Sequence, residues 1–118
     1  MSQSRQDTNI VFLSGFFEND PQHRELPTGL PVANVKLVVV SRFLSTDKIQ
    51  AVSAINLTFY GPAVEWAKPL RSGDRVSIQG EIVVRSTSIT TKSTTTEIVV
   101  RTLDRIMPEH NLDDPTNW

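Results

Sequence analysis

The sequence predicts an all-β fold, a small five-stranded barrel with one short helix between its third and fourth strands. Three observations support this. Apolar runs rich in β-branched and aromatic residues recur along the chain, several with strict alternation. One stretch, residues 63–70, carries its apolar residues at helical spacing instead. The 118 residues suffice for one core and no second.

Residues 10–17 form the first strand-like run and residues 35–43 the second. Between them, Asp20-Pro21, Pro27-Thr28-Gly29 and Pro31 break both helix and ladder, so residues 20–34 are expected as a shaped loop. In residues 49–60, Ile55, Leu57 and Phe59 point one way and Asn56, Thr58 and Tyr60 the other. Gly61-Pro62 opens a helix; Ala63, Trp66, Ala67 and Leu70 share its apolar face, which makes Trp66 a core plug. Pro69 and Gly73 end it. Residues 75–85 place Val76, Ile78, Ile82 and Val84 on one face, and Gly80 at an inward position suits a bulge or sharp bend. Residues 97–103 complete the set. Three strands, a helix and two strands is the order of the OB-fold, a Greek-key barrel. Residues 1–8 are expected as a flexible start, 9–106 as the domain, and 107–118 as a short acidic tail.

Charge is nearly balanced, 12 basic against 13 acidic residues. Its distribution is uneven: residues 1–35 hold two basic and four acidic groups, residues 36–105 ten and six, residues 106–118 none and three. A mildly basic body with an acidic end is compatible with nucleic acid. With no cysteine, a disulfide or thiolate metal site is excluded. No apolar run spans a bilayer and no signal-peptide core opens the chain, so a soluble, cytoplasmic, nucleoid-associated protein is expected. His23 and His110 have no partner at metal-ligand spacing, and neither a nucleophile elbow nor a phosphate-cradling glycine loop occurs. The expectation is a non-enzymatic protein with no metal and no cofactor.

Binding of single strands needs a basic groove and ring faces on which bases stack. Tyr60 has the parity of Asn56 and Thr58, opposite the core row, and is the first candidate. Phe43 lies beside Arg42 but shares parity with Val35, Leu37 and Val39, so a core or rim position is the other reading. The candidate phosphate contacts are Lys36, Arg42, Lys48, Arg71, Arg75, Arg85 and Lys92. For any one of them a solvated charge is the alternative.

Several short motifs occur in order: Asn9-Ile10-Val11-Phe12-Leu13-Ser14-Gly15, Asp20-Pro21 with Arg24, Pro27-Thr28-Gly29, Val32-Ala33-Asn34, Phe59-Tyr60-Gly61, Gly73-Asp74-Arg75-Val76-Ser77-Ile78-Gln79-Gly80 and Thr96-Glu97-Ile98-Val99-Val100. Over about residues 9–106 the chain resembles bacterial-type single-stranded DNA-binding proteins. The resemblance implies an OB barrel, a homotetramer or a dimer, and a role in DNA replication, repair or recombination. By position it makes Phe43 and Tyr60 base-stacking rings. Two further rings are absent: Ala54 stands where the third strand usually has Trp, and Ser86-Thr87 follows Arg85 where a Trp is expected. Weaker, more salt-sensitive binding follows. First-strand residues such as Val11 and Leu13 are expected at a subunit interface. Residues 112–118 faintly resemble the acidic tip through which the family recruits replication proteins; a plain terminus is the other reading. The rival function is a primosome-type accessory module, or another OB-fold interaction module, with weak or no DNA binding.

Overall fold

A computed structural model describes residues 6–42, 50–86 and 94–107. Six strands form one sheet: β1 (Val11–Phe17), β2 (Gln22–Glu25), β3 (Pro31–Arg42), β4 (Gln50–Tyr60), β5 (Arg75–Ser86) and β6 (Thr94–Ile106). A 3₁₀ turn (Gly61–Ala63) leading into α1 (Val64–Ala67) separates β4 from β5. The sheet runs β1-β5-β6-β4-β3-β2 and closes through an added β1–β3 pairing. All pairings are antiparallel except β4–β6, which is parallel. With β2 set aside as an appended edge strand, this is the five-stranded OB barrel that the sequence predicts.

The alternating rows fill it. Phe17, Val35, Leu37, Leu57, Phe59, Val76, Ile78, Ile98 and Val100 form the core, with Ala63, Val64, Ala67 and Leu70 of the helical segment packed against them. Two glycines permit the curvature. A Cβ on Gly15 would lie 2.1 Å from the Val38 carbonyl oxygen, where β1 passes from β5 to β3. On Gly80 it would lie 2.3 Å from the Val99 carbonyl oxygen, and the β5–β6 register shifts at Gln79/Gly80. The extra residue is Arg101 on β6, so Gly80 marks the sharp bend expected from sequence and the bulge faces it on the neighbouring strand.

Several expectations need correction. Residues 20–34 are not all loop: β2 pairs with the start of β3 around a turn closed by Gly29 N–H donating to the Leu26 carbonyl at 2.8 Å. Pro31 begins β3 at an edge, where a missing N–H is tolerated. Trp66 is not a core plug; it is 40% exposed. Val64 takes the inward place instead, beside Ala63, Ala67 and Leu70, in a helical segment only seven residues long. Ile82 and Val84 keep their parity but are exposed, because β5 beyond Gly80 outruns the barrel. Thr58, assigned to the polar face, is buried nonetheless.

The motifs of the first third are structural ties. Asn9 exchanges both side-chain amide bonds with the Ile82 backbone, at 2.8 and 2.9 Å. Asp20 Oδ1 accepts from the Ser72 N–H at 2.8 Å, fastening the first connection to the turn before β5.

Candidate nucleic-acid interface

Because the odd-numbered residues of β3 and β4 fill the core, their even-numbered neighbours form an outward face. The β3–β4 register sets Lys36 opposite Asn56, Asn34 opposite Thr58 and Val32 opposite Tyr60. The β5–β6 register sets Val83 opposite Glu97 and Arg85 opposite Thr95. Lys36, Asn56, Thr58, Tyr60, Arg85 and Glu97 therefore share one side of the sheet. A polar hollow of about 650 Å³ on this side is lined by Asn19, Asn34, Lys36, Asn56, Thr58 and Glu97, among others.

A chain of hydrogen bonds crosses it. Arg24 Nε donates to Asn34 Oδ1 at 3.1 Å, and Asn34 Nδ2 donates to Thr58 Oγ1 at 3.1 Å. The Thr58 hydroxyl donates to Glu97 Oε2, and Arg85 Nε donates to Glu97 Oε1. Arg85 Nη2 then donates to the Tyr60 hydroxyl at 3.2 Å. Five strands are linked by these six side chains. Glu97 is only 8% exposed, and burial is the largest single influence on its carboxyl, pushing the pKa up. The hydrogen bonds from Thr58 and Arg85, with the charges of Arg85 and Arg24, outweigh burial and hold it below the ordinary carboxylate range. Glu97 in turn raises the pKa of Arg85, so both stay charged at neutral pH.

Of the residues singled out from sequence, Tyr60, Lys36 and Arg85 come together here. Tyr60 is half-buried and Lys36 exposed. Arg42 ends β3, pairing with Gln50 six residues beyond Lys36, roughly 20 Å along the strand. Arg75 begins β5; its guanidinium sits 5.4 Å from the centre of the Phe16 ring. Ten residues of strand, roughly 33 Å, separate it from Arg85, so shared parity does not make a shared site. Arg71 caps the end of the helical segment, Nη1 donating to the Lys68 and Leu70 carbonyls at 2.9 and 2.8 Å. It lines a second hollow, about 900 Å³, between the β2–β3 hairpin and α1, together with Arg24, Leu30, Pro62 and Lys68. Phe43, Lys48 and Lys92 lie outside the described residues, as does residues 108–118 of the tail.

The residues missed from sequence are Glu97, Asn34 and Arg24. Arg24 and Asn34 belong to motifs already quoted, and their side chains meet across β2–β3. Nothing in a linear reading pairs Glu97 with Arg85; that needs the hairpin register.

A closed barrel with a helical segment between its third and fourth long strands, and a polar, ring-bearing face on the second and third, is an OB domain of the oligonucleotide-binding kind. The model of the family described as "Single-strand binding protein family" matches residues 8–106, and the chain belongs to that family. Membership supports binding of single-stranded DNA as the general function. No curated protein matches the chain. No helix among the described residues is long and apolar enough to cross a membrane.

Proposed function

We propose that this protein binds single-stranded DNA with little sequence preference, through base stacking on Tyr60 and phosphate contacts to the cations around it. One observation carries the reading: Tyr60 stands half-exposed on the outward sheet face with the Arg85 guanidinium at its hydroxyl and Lys36 on the same side. Stacking tolerates any base because every base offers a π-face. Arg42, Phe43, Lys48 and Lys92 belong to the proposal on sequence grounds. Arg71 and Arg75 enter it only as outer contacts of a strand that wraps the barrel.

The role is non-enzymatic, in replication, repair or recombination, within the cytoplasm and nucleoid. Residues 9–106 act as the binding domain, and the acidic tail 107–118 either recruits replication proteins or is a plain terminus. Self-association fits β1. Its ladder to β3 covers only Phe16 and Phe17, so along residues 11–15 one edge has no partner strand among the described residues. Val11 and Leu13 pack inward on their own core, so this edge would contribute its backbone and Phe12, 73% exposed. A dimer or tetramer is the expected assembly.

The test is titration of labelled oligo-dT, alone and as duplex, at about 50 and 200 mM salt. Single strands should bind, duplex poorly, with affinity falling as salt rises. Absence of binding would overturn the reading. It would select the accessory-module alternative, which the exposed Ala54 on the outward face favours, since that position offers no ring.

A further inference from the structure

A carboxylate at the centre of a face meant for a polyanion is unexpected. Glu97 lies there, nearly covered, and grips the arginine nearest the candidate stacking ring. Its side chain is 10% exposed, that of Arg85 55%. The guanidinium thus has Nε committed to Glu97 and Nη2 turned to the Tyr60 hydroxyl, with much of its surface open to solvent. A phosphate oxygen arriving beside Tyr60 would seek the donors that the Glu97 oxygen already holds.

We infer that Glu97 acts as a built-in phosphate mimic: it occupies Arg85, removes that cation from the count of charges the DNA neutralises, and aims the remaining guanidinium edge at Tyr60. The inference rests on the single-stranded DNA reading and deepens it, withdrawing Arg85 from the phosphate contacts of that face and leaving them to Lys36 and the other cations. Glu97 is a positioning residue that sets salt sensitivity; it makes no contact with DNA itself. Thr58 and, through Asn34, Arg24 hold the carboxylate so that it cannot swing away. The Arg85–Glu97 pair contributes no net charge, so the face behaves as if it had one cation fewer than its sequence suggests.

Salt dependence reads this directly. Each phosphate neutralised on a single strand adds about 0.7 to the slope of log affinity against log salt. Glu97→Gln keeps the shape and the Thr58 contact while freeing Arg85. It should steepen the slope by about 0.7, so that between about 50 and 200 mM salt the variant loses ~2.6-fold more affinity than the wild type. Arg85→Ala combined with Glu97→Gln removes both charges and should restore the wild-type slope. If Arg85 already meets phosphate in the wild type, Glu97→Gln leaves the slope unchanged and the double variant makes it shallower; that result overturns the inference and leaves the function standing. Should Glu97→Gln alone fail to fold, the double variant decides, since a wild-type slope supports the mimic and a shallower one refutes it. Failure of the wild type to bind oligo-dT removes both readings.

Discussion

Replacing Tyr60 separates the ring from its hydroxyl. Tyr60→Ala removes the aromatic face that stands beside Arg85 on the outward side of the sheet. A stacked base is worth roughly 1–3 kcal/mol, and about 1.4 kcal/mol is tenfold in affinity, so oligo-dT binding should weaken by ~5- to 150-fold. Tyr60→Phe keeps the ring and loses the acceptor that Arg85 Nη2 reaches at 3.2 Å. The Arg85 side chain is 55% exposed, so water can replace that bond. A loss below about 1 kcal/mol, or less than about fivefold, is expected. Anisotropy titration at fixed low salt measures both, with thermal unfolding of each variant to show that the barrel is intact. Wild-type affinity in Tyr60→Ala would refute the stacking assignment. Equal losses in the two variants would show that the hydroxyl and its arginine matter rather than the ring.

Other outcomes concern the scaffold. Gly80→Ala puts a Cβ 2.3 Å from the Val99 carbonyl oxygen and 2.9 Å from Ile98 Cγ2, so β5 and β6 must separate; about 1–3 kcal/mol of stability should be lost, read as a lower urea midpoint. Phe59→Ala empties a fully buried site and should cost about 3–5 kcal/mol, whereas Trp66→Ala, at 40% exposure, should cost clearly less in the same urea series. The depressed pKa of Glu97 stabilises the fold above the ordinary carboxylate range, and that contribution fades as pH falls through the lowered value. Thermal unfolding from neutral to acid pH should show this loss, and Glu97→Gln should show less of it.

The barrel was legible because its strands follow simple alternation. Leu57 and Phe59 declare the core of β4, and Gly80 declares the bend, from parity alone. The helical segment misled for a local reason. Its regular part is one short turn, and Ala63, Ala67 and Leu70 leave room on their face for either neighbour; Val64 takes the place that spacing alone gives to Trp66. The candidate face was half legible. Tyr60 and Lys36 follow from alternation on two adjacent strands. Arg85 was found as a charge, but its partner lies across a hairpin whose register no single-sequence pattern supplies. A linear list of cations puts Arg75 and Arg71 beside it, because it ignores the distance along β5 and the carbonyls at the end of a helix.

The closure of the barrel depends on little. β3 and β4 run together over their whole length, but β1 reaches β3 only at Phe16–Val38 and Phe17–Leu37. A ring opens first at its shortest clasps, and this seam shares with β4–β6, which pairs only Leu57–Ile98 and Thr58–Val99, the fewest registered pairs on the circumference. Phe17, fully buried beneath that clasp, is the bolt holding it shut.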